Sequence, residues 1–495
     1  MNRIKVAFVN QGWDKVSPPV NAASIPIWTY ETAQRLAENC NVVIYSRRDK
    51  DQPAVETHQG IEYRHVSITG SRLYNGSIRL LSKFLSSFRY LNSRLYYLPY
   101  ALRVAIDLRQ QHCDIVHIHN FSQFIPTIRA FNPNIKIVLH MHNEWLSQFE
   151  PEIIRSRLAQ TDLVISCSDY VTRKIRAHFP EFAARCQTVY NGVNIEQFVQ
   201  AQTAANQLIS QLASRRQSTE NIQEKNIQEK DIQTEPNILF VGRVSPEKGI
   251  HTLVDAFFEV LNKFPTARLF IVGGLKQVSG EFIINISDDP LVQNLAVFDS
   301  LDYFEYIKNR IEEKLPPEMV DRIVFTGPIS HLSLQSYFQN ADVLINPSVS
   351  ETFGMSLAEA MATGTPAIGT DIGGMPEVVE HGKTGLIVPP EDPTALAEAI
   401  AQLLSDESLR TRMGQAGIDR AAKIFSWQAI ATSLQQQYEL IVEEPIVGKP
   451  PTPHVIEEVV SCEQPAAPFA IPATVPTAIP EAIPAAVQVS ESSKR

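Results

Sequence analysis

The chain has 495 residues, of which 44% are hydrophobic and 20% are charged, and this length predicts two or three globular domains. The net charge of −10 argues against nonspecific nucleic-acid binding, and no apolar run is long enough to span a membrane. The five scattered cysteines argue against a disulfide framework or a zinc site. The N-terminus lacks the apolar segment of a signal peptide, so we expect a soluble cytoplasmic protein.

Residues 1–199 repeat one pattern, a short β-branched apolar run followed by a helical stretch. The predicted strands span 4–9, 42–45, 61–66, 115–118, 135–139, 163–166 and 188–191. Continuous apolar runs indicate strands that are buried on both faces, and helices between them make βαβ units. The pattern predicts a doubly wound, Rossmann-like domain.

Residues 71–110 are basic and aromatic, with seven Lys or Arg and one acid among Leu, Phe and Tyr. An amphipathic basic helix suits anionic lipid headgroups, which would place the protein at the inner face of a membrane. A helical hairpin packed on the sheet, with solvated arginines, gives the same pattern and is favoured somewhat.

Residues 200–235 contain a polar tandem repeat without apolar periodicity, which predicts a linker or surface insertion. Residues 236–425 resume the alternation of strand and helix, with each strand ending in Gly or Pro, and predict a second doubly wound domain. Residues 426–442 are expected to form a helix that returns to the N-terminal domain. Residues 443–495 are rich in Pro and Ala, which predicts a disordered tail.

The first motif with chemical potential is VGRVSPEKG at 241–249, at the end of a predicted strand. Gly242 permits a tight turn, and Arg243 and Lys248 follow it before the next helix. Two cations beside a helix N-terminus suit a diphosphate, although two solvated surface cations would look the same.

The second motif, residues 350–366, has a helix that should begin near Gly354. The amides of Phe353, Gly354 and Met355 would then be free to bind sugar hydroxyls or phosphate oxygens. Glu351 precedes this helix, and Glu359 lies within it at a distance that suits ribose hydroxyls. Ordinary surface glutamates on an exposed helix are the alternative.

A third motif begins at Gly373 and Gly374, which permit close backbone approach to a ligand, and continues with Pro376 and Glu377 at a helix start. A plain turn between a strand and a helix gives the same pattern.

The order R-x4-K, E-x7-E, GG-x-PE and HGKTGLIVP closely resembles the family 4, or group 1, glycosyltransferases of the GT-B fold. The resemblance is close over 237–425 and looser before that. It implies two Rossmann-like domains facing across a cleft, and retaining transfer of a sugar from a nucleotide-diphospho-sugar to a saccharide or lipid-linked acceptor. It also implies polysaccharide biosynthesis without a metal or cofactor, since cationic side chains and helix ends neutralise the diphosphate.

Site residues follow from the resemblance. Arg243 and Lys248 would grip the diphosphate, Glu359 would bind the ribose, and Glu351 would contact the transferred sugar. The expected donor-binding residues are Gly242, Arg243, Lys248, Phe353, Gly354, Met355, Ser356, Glu359 and Gly374.

Two histidine pairs lie at the ends of predicted strands in the N-terminal domain, His117 with His119 and His140 with His142. The family carries a catalytic histidine after the second of these strands, and the spacing favours His142 as its counterpart, with Glu351 as the second catalytic residue. Structural histidines at a strand end are the alternative. Many members also have a glycine-rich loop after the first strand, where this chain has only Gly12.

Three other functions fit parts of the pattern. A sugar-nucleotide epimerase of the same fold would need the same donor contacts but no acceptor. An NAD-dependent dehydrogenase predicts G-x-G-x-x-G after a strand, and neither 4–9 nor 238–241 is followed by it. A non-catalytic nucleotide-sugar binding protein would keep the fold, although the intact acidic and basic residues argue against it.

Overall fold

The structure is a computed structural model, and it describes the chain over most of its length. The described residues are 3–18, 20, 24–68, 74–77, 93–195, 235–275 and 283–443. The predicted linker at 200–235 and the predicted tail at 443–495 lie outside them except for one residue each. Residues 71–73 and 78–92 of the basic stretch at 71–110 also lie outside. Within the described residues, no helix is both long and apolar enough to cross a membrane.

The N-terminal domain is built on an eight-stranded sheet with the strand order β3-β4-β2-β1-β5-β6-β7-β8. Its strands are β1 (Lys5–Val9), β2 (Asn41–Arg47), β3 (Val55–His58), β4 (Ile61–Val66), β5 (Ile115–His119), β6 (Lys136–Met141), β7 (Leu163–Ser166) and β8 (Cys186–Thr188). All pairings are parallel except that of β3 with β4. Apolar clusters cover the sheet because its central strands are buried along their whole length.

Helices connect these strands as the βαβ pattern predicts. They are α1 (Ser24–Leu36), α2 (Leu98–Gln111), α3 (Ile125–Phe131), α4 (Trp145–Gln148), α5 (Pro151–Leu158) and α6 (Asp169–His178). Helix α6 begins after Ser168, whose side chain accepts a hydrogen bond from the Val171 amide and so satisfies one of the free donors of the first turn.

The C-terminal domain has a six-stranded, fully parallel sheet with the order β11-β10-β9-β12-β13-β14. Its strands are β9 (Asn237–Val241), β10 (Arg268–Val272), β11 (Ile323–Gly327), β12 (Val343–Asn346), β13 (Ala367–Thr370) and β14 (Gly385–Val388). Its helices are α7 (Ile250–Lys263), α8 (Pro290–Asn294), α9 (Tyr303–Lys314), α10 (Pro317–Val320), α11 (His331–Asn340), α12 (Met355–Thr363), α13 (Met375–Val378), α14 (Pro393–Ser405) and α15 (Glu407–Arg420).

A last helix, α16 (Trp427–Glu443), packs on the N-terminal domain beside α1. Tyr438 of this helix is completely buried there. The chain returns to this domain next to the place where it leaves it, because the Val193 amide donates to the Phe425 carbonyl at 2.7 Å. A side chain at Gly192 would collide with the ring of Trp427.

The observed strands of the N-terminal sheet differ from the predicted ones in two places. Strand β3 was missed because its sequence, Val-Glu-Thr-His, is mostly exposed and lacks an apolar run, as an edge strand can. The strand predicted at 188–191 lies at Cys186–Thr188 instead, where it is defined by its pairing with β7 rather than by its own apolar residues.

Candidate active site

The predicted site residues of the C-terminal domain follow the carboxyl ends of neighbouring strands. Gly242 and Arg243 follow β9, and Glu351 lies in the loop after β12, which pairs with β9. Parallel strands bring their carboxyl ends to one edge of the sheet, where open α/β sheets bind ligands. The fold therefore gathers the first two motifs at one place.

Arg243 is half exposed, and its guanidinium contacts the Glu247 carboxylate at 3.2 Å. Glu247 is buried and also accepts a hydrogen bond from the Ser245 hydroxyl at 2.6 Å. Its backbone carbonyl accepts the Val349 amide, which ties this loop to the one after β12. Sequence reasoning did not single out Glu247, although its position four residues after Arg243 is a signal for such a contact.

Lys248 and Glu351 form an ion pair of 2.7 Å between Nζ and Oε2, and both side chains are largely buried. Burial works to raise the pKa of Glu351, but the Lys248 ammonium, the Phe353 amide and the Asn346 side chain outweigh it. The pKa of Glu351 therefore lies below its ordinary value, and the group is an anion at neutral pH. The carboxylate of Glu351 and the ammonium group of Lys248 thus form a pair of opposite charges within the site.

Helix α12 begins after Gly354, whose φ of 98° is a left-handed conformation that favours glycine. The first intrahelical hydrogen bond here is donated by Leu357 to the Gly354 carbonyl. The amides of Met355 and Ser356 precede that bond and belong to the open first turn. The Phe353 amide, also expected to be free, is one of the groups that lower the pKa of Glu351.

Glu359 lies on α12, one turn beyond the helix start, and is partly buried. Burial raises its pKa to about 7, so a substantial fraction of this group is protonated at neutral pH.

His142 of the N-terminal domain is brought to this site by a contact between the domains. Its backbone carbonyl accepts a hydrogen bond of 3.0 Å from the Thr352 hydroxyl, next to Glu351. Its amide donates to the Asn120 side chain at 2.7 Å. Burial lowers the pKa of His142 to about 3, against the opposing effect of a hydrogen bond with Asn191. The ring is therefore neutral at physiological pH and acts as a hydrogen-bonding group.

A second contact between the domains is made by Glu377, at the end of the third motif. Its carboxylate accepts the backbone amides of Asp169 at 2.6 Å and Tyr170 at 2.5 Å, at the N-terminus of α6. Burial raises the pKa of Glu377 to about 7 although the two amides oppose this shift, so part of the group is protonated at neutral pH. Sequence reasoning treated Glu377 only as a helix start, and nothing local in the sequence signals a partner some 200 residues away.

The sequence predicts close backbone approach to a ligand at Gly373 and Gly374, and the structure shows both glycines close to the backbone of the protein itself. A Cβ on Gly373, at a φ of 60°, would lie 1.7 Å from the Glu351 carbonyl oxygen. A Cβ on Gly374 would lie 2.4 Å from the Thr352 carbonyl oxygen and 2.9 Å from the Cβ of Ser168. These glycines let the third motif pack against the second.

Two family models match the chain in sequence. Residues 221–420 match "Glycosyl transferases group 1", and residues 26–197 match "Glycosyltransferase Family 4". Spore coat protein SA of Bacillus subtilis is 26% identical over 429 residues, which cover 85% of this chain and 96% of that protein. D-inositol 3-phosphate glycosyltransferase of Corynebacterium efficiens is 35% identical over 203 residues, covering 41% of this chain and 42% of the relative.

Solved structures match almost end to end. Sucrose-phosphate synthase from Thermosynechococcus elongatus has a TM-score of 0.58 at 22% identity, covering 88% of this chain and 98% of that one. Anabaena HepE in complex with UDP and glucose has a TM-score of 0.59 at 17% identity, covering 88% and 99%. At this identity the likeness establishes the GT-B fold. With the two family models matched over most of both domains, the chain belongs to the group 1 glycosyltransferases of family 4, and it is a glycosyl-transferring enzyme.

Proposed function

We propose that this enzyme transfers a sugar, with retention of the anomeric configuration, from a nucleotide-diphospho-sugar to a hydroxyl of a saccharide or lipid-linked acceptor. The observation that carries the proposal is the buried Lys248–Glu351 ion pair, set beside Arg243 and the open helix end, with His142 held next to it by Thr352. Cations and free amides suit the diphosphate, and a buried carboxylate suits the sugar.

The residues take complementary parts in the proposed reaction. Arg243 and Lys248 stabilise the charge that develops on the departing diphosphate, together with the amides of Met355 and Ser356. The anionic Glu351 opposes the positive charge that develops on the sugar as its anomeric bond breaks. The acceptor oxygen then bonds to the same face of the sugar, and the proton of the acceptor hydroxyl leaves with the diphosphate.

Sugars linked to UDP are the first donors to test, since HepE was crystallised with UDP and glucose. The experiment is a thermal-shift screen of the purified enzyme against UDP, GDP, ADP and their sugars. A single nucleotide-sugar is expected to stabilise the enzyme, by about 2.7 kcal/mol at a hundred times its Kd. Arg243→Ala should abolish most of this shift, because it removes a cation from the diphosphate.

The matched control is Arg412→Ala, since Arg412 is an exposed arginine on α15, a helix outside the site. This variant should keep the full shift. Failure of every nucleotide-sugar to stabilise the wild-type enzyme would contradict the proposed donor. Conversion of a nucleotide-sugar without any acceptor would instead indicate the epimerase.

Donor affinity is expected to depend on pH through Glu359, whose pKa is about 7 in the free enzyme. Ribose hydroxyls donate to the ionised carboxylate, so donor binding should lower this pKa. Affinity should then be highest above pH 7 and should fall by up to about tenfold per pH unit below it. Calorimetric Kd values for the nucleotide-sugar between about pH 6 and about pH 8 measure this dependence.

Glu359→Gln is the control, because it cannot titrate. Its affinity should be lower than that of the wild type and nearly independent of pH over the same range. Tighter binding by the wild-type enzyme at the acid end would contradict a ribose-binding carboxylate at this position.

We also propose that the basic stretch at 71–110 contacts a membrane surface, where a lipid-linked acceptor would lie. In its described part, α2 buries Tyr100, Val104 and Leu108 against the core, as the packed alternative expects. Flotation with anionic vesicles tests the contact, and absence of the protein from the vesicle fraction would count against it.

A further inference from the structure

Four histidines lie together at the candidate site, three on the neighbouring strands β5 and β6 and one directly after β6. They are His117, His119, His140 and His142, and the indole of Trp28 lies within 6 Å of each ring by centroid distance. His117, His119 and His140 are completely buried. Burial, together with the other histidines, lowers the pKa of each of these three well below its ordinary value.

The rings form two hydrogen-bonded pairs that end on different hydroxyl groups. His117 Nε2 lies 3.1 Å from His140 Nδ1, and His117 Nδ1 lies 2.6 Å from the hydroxyl of Tyr438. His119 Nδ1 lies 3.0 Å from His142 Nε2, and His119 Nε2 lies 3.1 Å from the hydroxyl of Thr29. Only the second pair reaches the candidate active site.

The hydrogen-bond partners of Thr29 determine which ring donates and which accepts in the pair of His119 and His142. Its hydroxyl has one proton and two other acceptors at 2.9 Å, the Ile25 carbonyl and the side-chain oxygen of Asn10. The orientation of Asn10 is set because its amide nitrogen donates to the Tyr45 carbonyl. The Thr29 oxygen therefore faces His119 as an acceptor, and His119 must carry its proton on Nε2.

The protonation of the other ring nitrogens follows, because a neutral imidazole carries one proton on its two nitrogens. With its proton on Nε2, His119 has a lone pair on Nδ1 and must accept from His142. His142 then carries its proton on Nε2, and its other nitrogen, Nδ1, has a lone pair that can accept from the Asn191 side-chain amide or from a ligand hydroxyl.

We propose that Thr29 and His119 are positioning residues that hold His142 as its Nε2–H tautomer, so that its Nδ1 accepts a hydrogen bond from a hydroxyl group of a bound sugar. The inference rests on the proposed role of His142 at the reaction site. It also specifies which group of the bound molecule contacts His142, because an acceptor nitrogen suits a sugar hydroxyl and not a phosphate oxygen.

The tautomer can be measured without turnover. In enzyme carrying 15N-labelled histidine, a long-range proton–nitrogen NMR spectrum separates protonated from bare ring nitrogens, and loss of signal in His142→Gln identifies the residue. The expected result is a protonated Nε2 and a bare Nδ1 for His142. A protonated Nδ1 with a bare Nε2 would overturn the inference, whatever the activity of the enzyme.

Kinetics supply the second measurement. Thr29→Val has nearly the shape of threonine without its hydroxyl, so we expect kcat to fall by about tenfold while the Kd of the nucleotide-sugar stays within about twofold. Thr29→Ser restores the hydroxyl and should recover kcat. The control is Tyr438→Phe, which removes a buried hydroxyl from the other pair and should leave kcat within about twofold of wild type.

Equal losses in Tyr438→Phe and Thr29→Val would show a general packing effect and overturn the inference. So would stoichiometric metal in the purified enzyme, because ring nitrogens of His117, His119 and His140 lie within 4.8 Å of one another and could bind an ion. Full transfer activity in His142→Gln would instead reject the proposed role of His142, while the NMR result would stand by itself.

Discussion

Replacing Glu351 with Gln is expected to leave donor binding intact and to lower the rate of transfer by a hundredfold or more, on the order of the loss seen when one preorganised charge-stabilising group is removed. Glu351 is an anion because Lys248 lies 2.7 Å from it. Glutamine keeps the shape but removes the charge that opposes the positive charge developing on the sugar. Lys248 is released to the diphosphate at the same time, so affinity should not fall.

The measurement is kcat in saturating donor, with the donor Kd from calorimetry on the same preparation. Lys248→Met is the matched comparison, because it removes the other member of the pair and should weaken donor binding as well as transfer. Wild-type turnover in Glu351→Gln would reject the proposed role of this carboxylate. A loss confined to donor affinity would reassign Glu351 to ground-state binding.

The second large effect is expected from Glu377→Ala, which removes the carboxylate that accepts two amides of α6 in the other domain. A hydrogen bond contributes about 0.5–1.5 kcal/mol between neutral groups and about 1.5–3 kcal/mol to a charged group, and Glu377, with a pKa of about 7, is partly ionised at neutral pH. Without them, the arrangement that brings His142 next to Glu351 should be less populated. We expect kcat/KM to fall by about 10- to 100-fold, with little change in the affinity for nucleotide alone.

Glu380→Ala is the control for this variant. Glu380 is a more exposed carboxylate three residues further along, paired with Lys383 of its own domain at 3.0 Å. It should behave like wild type. An unchanged kcat/KM in Glu377→Ala would mean that the contact between the domains does not limit the reaction. Stopped transfer with a lower melting temperature of the C-terminal domain would point to local unfolding instead.

Much of the fold could be predicted because each parallel strand contains its own buried apolar run. The six strands of the C-terminal sheet have this property, and all six were predicted from sequence. Strand β3 was missed because an edge strand with exposed faces needs no such run. The order of the strands required the structure, since apolar periodicity carries no information about which neighbours pair.

For the candidate site, too, some residues could be predicted from the sequence and others could not. Arg243, Lys248 and Glu351 could be selected because residues of these types follow strand ends in a recognisable order. The parts played by Thr352 and Glu377 could not, because their partners His142 and Asp169 lie about 200 residues away in the other domain.

The place where the chain leaves and re-enters the N-terminal domain has a mechanical consequence. Val193 and Phe425 are hydrogen-bonded side by side, and the return runs through a π-helical segment, Ala421–Phe425. Because these two passages of chain are adjacent, we expect the two domains to rotate about them when the enzyme opens for substrate exchange. Such a rotation keeps the bond between Val193 and Phe425, and it separates Thr352 from His142, whose hydrogen bond forms again on closing.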